Sequence, residues 1–133
     1  MQHSPSLTAQ QCRALRERVH EKMSELLAEH SKLGGVPGIH SAIMQDVAEF
    51  VLRPGKRIRP LLFLQTCRAL DAELQVEDPD LLRLAAALEF LHAFILIHDD
   101  IIDQAEERRG LPCLHRKIER RLINLADRER AGR

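Results

Sequence analysis

Tryptophan and tyrosine are absent from this sequence, and only four phenylalanines supply aromatic rings. An apolar fraction of 44% still permits a core, which falls mainly to Leu and Ala. With Arg and Glu also abundant, this is the composition of a helical protein. Net charge is missing as well: 20 basic and 20 acidic residues balance, so charge gives no reason to expect a nucleic acid or a membrane surface as partner. Only past Gln104 does the balance fail, with nine Arg and Lys against five acids. Cys12, Cys67 and Cys113 are odd in number and scattered, without the paired spacing of a zinc site, and are read as reduced thiols. No basic-then-apolar leader opens the chain, and no apolar run is read as approaching the ~18 residues of a membrane span. The expectation is a cytoplasmic protein with no integral membrane segment. Strand alternation, hairpin signals, internal repeats and low-complexity stretches are not found either.

What the sequence does contain is helical periodicity. Leu15, Val19, Met23, Leu26 and Leu27 recur at helical spacing over about residues 8–32, and Thr8 with Gln11 fits a capping box at the start. Gly34, Gly35 and Pro37 end this helix. A second is expected over residues 39–52, with Ile43, Val47, Phe50 and Val51 inward, before Pro54 and Gly55 break it. A third runs from Ile58 or Pro60 to about Leu70. The fourth has the clearest start: Asp78 as N-cap, Pro79 in the first turn and Asp80 at the positive end of the dipole. It continues to about Gln104, apolar on most faces, and such a helix belongs in the middle of a protein. Covering it takes more neighbours than the remaining sequence offers. Gly110 and Pro112 mark a loop, followed by a basic, weakly amphipathic helix. The whole is expected to be one all-α domain, residues 1–133, a helical bundle whose ending reads as the lead-in to a further helix.

Three clusters carry chemistry. In His98-Asp-Asp-Ile-Ile-Asp103, Asp99 and Asp103 lie one helical turn apart and Asp100 about 100° round, so all three carboxylates are expected within one arc. Like charges at that spacing, near a helix C-terminus, disfavour the helix. Coming directly after a very apolar stretch, they suit Mg²⁺, a hard cation held by one or two carboxylates plus phosphate oxygens. A solvated acidic face is the plainer alternative. The second cluster, Arg53, Lys56, Arg57 and Arg59, places four cations in seven residues around Pro54 and Gly55, an anion site at a helix N-terminus. The third is Arg108-Arg109, where adjacent guanidinium groups can grip phosphates in bidentate fashion. Either basic cluster taken alone reads rather as an exposed loop or turn. Carboxylates for metal beside two cation clusters for phosphate say more than any one of them.

Together these residues resemble the polyprenyl synthetase family of head-to-tail trans-prenyltransferases. Gly-Lys-Arg-x-Arg-Pro stands at residues 55–60, Glu-Phe-Leu-His at 89–92, the aspartate-rich motif at 98–103 and Arg-Arg-Gly-x-Pro at 108–112, with His115 following. The resemblance runs from about residue 41 to 116. It implies the N-terminal part of an isoprenoid synthase fold and a short-chain prenyl diphosphate synthase activity. Asp99 and Asp103 would coordinate Mg²⁺ with Asp100 completing the acidic rim, and Arg108 would contact the allylic diphosphate. Lys56, Arg59, His92 and Arg109 would hold isopentenyl diphosphate. A bulky residue at Phe94, with Ile95 beside it, is associated in the family with products of geranylgeranyl length. Full-length relatives are homodimers.

The sequence departs from the family pattern in places. Pro54 stands where glycine is common, and Leu111 and Cys113 replace frequent Lys and Thr. More seriously, the second aspartate-rich motif and a later lysine have no counterpart, so the chain is expected to be a truncated form, inactive alone. A non-catalytic partner or regulatory subunit, and a bundle whose acids are merely surface, are the competing readings.

Overall fold

The computed structural model describes residues 7–33 and 38–131. The expected breaks at Gly34, Gly35 and Pro37, and the terminal Gly132 and Arg133, lie outside the described residues. Five helices follow in order: α1 (Ala9–Leu33), α2 (Ile39–Val51), α3 (Ile58–Leu70), α4 (Pro79–Ile102) and α5 (Leu114–Ala131). The Thr8 and Gln11 capping box forms reciprocally, each backbone N–H donating to the other's side-chain oxygen at 2.9 and 3.2 Å. The Asp78 carboxylate accepts from the amides of Asp80 and Leu81, with Pro79 just inside.

The central helix is α4, against which α1 and α3 pack, while α5 closes on α2 and on the end of α4. The core joins Leu15, Val19 and Met23 of α1, Phe50 and Val51 of α2, Leu64 of α3, and Leu82, Ala85, Ala86 and Ala93 of α4. Inward residues of α4 fall at positions 82, 85, 86, 89, 93 and 100, one stripe at helical spacing. Its alanines let neighbouring backbones approach, and the stripe carries two carboxylates, Glu89 and Asp100, among its apolar members. The other face, with Leu84, Leu91, Phe94, Ile95 and Ile102, stays exposed, as expected of a helix with more apolar surface than its packed neighbours cover.

Two expectations need correcting. By length and composition α4 does reach what a membrane span requires. Its inward stripe nevertheless packs on α1 and α3 and holds Glu89 in a buried ion pair with Arg57, as a core helix does. The second concerns strands, none of which was expected. A short antiparallel pair forms between β1 (Glu107–Arg108) and β2 (Leu111–Pro112), with Arg108 opposite Leu111. The two-residue connection, Arg109 at φ 56° and Gly110 at φ 74°, has the left-handed backbone at both positions that a type I′ hairpin requires. Arginine at the first of these is an unusual occupant, which is why the pattern reads as a loop.

The α2–α5 contact rests on a charge cluster with no advance signal. Buried Asp46 accepts from Arg121 Nε at 2.7 Å and Nη2 at 2.9 Å, and Lys117 sits 3.1 Å from the same carboxylate while also pairing with Glu49. The Arg121 hydrogen bonds hold Asp46 below its ordinary value of 3.8. A folded-state pKa below the unfolded one means that stability is gained above the unfolded pKa and lost as pH falls through the folded pKa. Asp46→Asn is therefore expected to lower the thermal midpoint by several degrees at pH 7. The difference from wild type should begin to close below about pH 4, near the ordinary Asp pKa, and vanish once Asp46 is protonated in the folded state as well. Thermal melts across pH 2.5–8, followed by circular dichroism, check both (melting buffers set by roughly half-unit steps); a pH-independent difference would deny the pairing its electrostatic basis.

Candidate active site

The chain turns out of α2 at Leu52 and re-enters helix at Ile58, and residues 53–57 between them carry most of the second cation cluster. Arg57, at φ 48° and ψ 44°, is the N-cap of α3. Its left-handed backbone turns its own side chain inward while Lys56 and Arg59 stay exposed. The first turn of α3 has neither a side-chain cap nor an acidic residue, so its positive end is left for an external anion.

Lys56, Arg59, His92, Arg108 and Arg109 all line one cleft of about 640 Å³ between this loop, the inner edge of α4 and the hairpin. The sequence places them up to 53 positions apart (Lys56 to Arg109), and the fold brings all five together. His92 registers the concentration of charge. Burial, then the guanidinium of Arg59, with smaller effects from Arg109 and Arg108, depress its imidazole below 6.5 against the opposing pull of Glu89. Gly55 also lines the cleft, and a Cβ there would meet nothing closer than the Arg53 carbonyl at 4.0 Å. Packing therefore does not demand glycine, and its smallness leaves the cleft wall open to a ligand.

The aspartates do not share one arc, which corrects the sequence expectation. Asp100 lies on the buried stripe of α4, seven residues after Ala93, and is 2% exposed. Its carboxylate accepts from Arg108 Nε at 2.9 and 3.1 Å and from Nη2 at 2.6 Å. Burial pushes this carboxyl up, but the Arg108 hydrogen bonds and neighbouring groups outweigh it and hold it below 3.8. Asp100 thus fastens the hairpin to α4 and aims Arg108 along the cleft. The same neighbourhood, burial first and then Asp100, pushes the Cys113 thiol up, in keeping with an inert buried cysteine.

Asp99 and Asp103 are exposed, one turn apart at the end of α4. As acceptor-only groups without an ion-pair partner among the described residues, they suit a hard cation that keeps water and takes further oxygens from a ligand. Among the described residues no group of three or more His, Cys, Asp or Glu side chains converges on a metal centre. Phe94 is 56% exposed, its ring centroid 4.0 Å from that of His98, and Ile95 is exposed beside it. Phe94 is therefore not a core residue of this chain.

Two members of the loop's cation cluster have structural roles that the sequence reading did not separate from anion binding. Arg57 pairs with Glu89 at 2.8 Å within the structure. Arg53 donates from Nη2 to the Pro112 carbonyl at 3.2 Å and lies 5.0 Å over the Phe50 ring, tying the hairpin to the end of α2. Glu89 was legible in principle, since a carboxylate in register with Leu82, Ala86 and Ala93 has to find a partner.

Comparison with known proteins agrees with this arrangement. The chain is 37% identical over 102 residues to a geranylgeranyl diphosphate synthase of Pantoea ananas, covering 75% of this chain and 33% of that protein. It is 48% identical over 64 residues to a geranylfarnesyl diphosphate synthase of Aeropyrum pernix, 46% of this chain and 19% of the relative. To a farnesyl diphosphate synthase of Geobacillus stearothermophilus it is 47% identical over 64 residues, 47% of this chain and 20% of the relative. The matched region thus spans at most about a third of the length of these relatives. No solved structure gives a significant match. The Polyprenyl synthetase profile matches residues 41–128, which include the loop, the inner half of α4, the hairpin and most of α5, and the chain belongs to the polyprenyl synthetase family.

Proposed function

We propose that this chain supplies the isopentenyl diphosphate cleft and the first metal-binding pair of a short-chain prenyl diphosphate synthase. The observation that supports it is the convergence of Lys56, Arg59, His92, Arg108 and Arg109 on one cleft, with Asp99 two turns beyond His92 on the same helix and Asp103 one turn further, at its C-cap. Lys56, Arg59, His92 and Arg109 hold the diphosphate of isopentenyl diphosphate, while Arg108, braced by Asp100, faces the allylic diphosphate. Asp99 and Asp103 would hold Mg²⁺, which would supply Lewis-acid stabilisation of the leaving diphosphate. The allylic carbon–oxygen bond breaks to release diphosphate, the alkene of isopentenyl diphosphate attacks that carbon, and diphosphate takes the proton lost from the product. The cleft cations stabilise charge where it develops, and the exposed face of α4 offers the prenyl tail an apolar surface to lie against.

Calorimetric titration of isopentenyl diphosphate into the chain is expected to give saturable binding. An assay with isopentenyl diphosphate, an allylic diphosphate and Mg²⁺ is expected to give no multiple turnover until the remaining length carried by its relatives is supplied. Absence of diphosphate binding would overturn the cleft assignment, and robust turnover by the chain alone would overturn the claim that half of the metal site lies elsewhere.

The tail, anchored at Asp99 and Asp103, runs down α4 past Phe94, about 7.5 Å along the axis at five residues' rise. Phe94 with Ile95 is then a depth stop. Because Phe94 is exposed here, Phe94→Ala should leave the thermal midpoint of this chain almost unchanged while shifting the product distribution of the competent enzyme to longer chains. Chromatography of the dephosphorylated products checks this, and an unchanged distribution assigns the depth stop to another residue.

A further inference from the structure

We propose that Arg57 and Glu89, which lie in the wall of the cleft but are paired with each other, form a buried positioning brace that sets its affinity for isopentenyl diphosphate through the loop and helix they join; this rests on the cleft assignment above. Arg57 is 7% exposed and Glu89 8% exposed. The guanidinium uses three directions at once: Nη1 donates to Glu89 Oε1 at 2.8 Å, and Nη2 to the carbonyls of Val51 at 3.2 Å and Arg53 at 3.1 Å. Those carbonyls belong to the end of α2 and the residue that leaves it, where helical partners have run out. One side chain therefore locks together the end of α2, the loop carrying Lys56 and Arg59, and the turn of α4 that carries His92 three residues after Glu89.

The alternation along the loop gives this its functional sense. Lys56, Ile58 and Arg59 are exposed and Arg57 alone turns inward, on a left-handed backbone that a non-glycine residue adopts at a cost. A buried ion pair is a poor means of gaining stability, because desolvation offsets most of its attraction and an apolar pair of similar volume often holds a fold as well. What the pair adds is direction. A planar five-donor fork meeting one carboxylate and two carbonyls fixes the loop in rotation as well as in distance, which a lysine or a leucine does not.

The test separates holding the fold from holding the cleft. In the double variant Arg57→Leu with Glu89→Leu, the helicity and thermal midpoint of the whole chain are expected to match wild type. Calorimetric Kd for isopentenyl diphosphate is expected to rise about tenfold or more, since small misplacements of several positioned groups compound. Arg57→Lys keeps the charge and is expected to remain folded with an affinity loss of several-fold, so it decides the matter should the double variant fail to fold. In a turnover-competent form the loss should fall on KM for isopentenyl diphosphate and leave kcat nearly unchanged. If wild type binds and both folded variants bind equally well, the brace is structural only and the proposal fails. If wild type itself does not bind isopentenyl diphosphate, the cleft assignment fails, and the brace with it.

Discussion

Asp99→Ala and Asp103→Ala are each expected to reduce turnover by about 10²–10³-fold in the competent enzyme, the usual effect of removing one electrostatic contact to a developing charge. The two carboxylates stand exposed on successive turns at the end of α4, free of any ion pair among the described residues. On the proposed reading, their removal would take away the Mg²⁺ ligands that this chain supplies and leave the departing diphosphate to the cleft arginines. Turnover measured over a range of Mg²⁺ concentrations should show the single variants needing more metal for half-maximal rate. Asp100→Asn is expected to differ in kind. Its carboxylate is spent on Arg108, so the substitution should weaken diphosphate binding and lower the thermal midpoint while leaving the Mg²⁺ dependence close to wild type. Near-normal activity in the Asp99 and Asp103 double variant would return the pair to an ordinary solvated face.

Lys56→Ala and Arg59→Ala are expected to raise KM for isopentenyl diphosphate about 10–100-fold each, from charged hydrogen bonds worth about 1.5–3 kcal/mol. Both side chains line the cleft but pair with no carboxylate among the described residues, so they stand available to a ligand. The asymmetry matters more than the size. KM for the allylic substrate should move little, since Arg108, at the hairpin and beside Asp100, faces the aspartate end of α4. Initial rates with each substrate varied in turn measure the two constants separately. Equal weakening towards both would mean that the clusters act as one field and not as two sites. Because Arg59 also contributes to the depressed imidazole of His92, Arg59→Ala should bring the His92 titration back towards 6.5.

How much of this was legible in the sequence varied by element. The capping box at Thr8 and Gln11, the Asp78-Pro79 start of α4 and the inward residues of α1 follow from contacts within one or two turns, and they form as read. Local chemistry fixes such features because both partners are sequence neighbours and the helix sets their distance. The motif residues were legible for a related reason: metal and phosphate chemistry restricts the residue types to carboxylates and cations at recognisable spacings. The I′ hairpin at Arg109-Gly110 was missed because arginine there pays a conformational cost that only tertiary contacts offset, chiefly Arg108 on Asp100 and Arg53 on Pro112.

The sequence by itself therefore determined which groups are present, that the carboxylates sit at the end of a helix and the cations in breaks between helices, and that Asp99 and Asp103 lie one turn apart. Which of the carboxylates are free was decided only by packing. Asp99 and Asp100 are adjacent in sequence, and 100° of helical rotation puts one in solvent and the other, 2% exposed, against Arg108. The same holds for Arg57 among the cations of its loop, turned inward to Glu89 while its neighbours face the cleft. The physical reason is common to both cases. Whether a charge serves a ligand or the fold depends on the side of its element that neighbouring helices cover, and that is set by contacts distant in the chain.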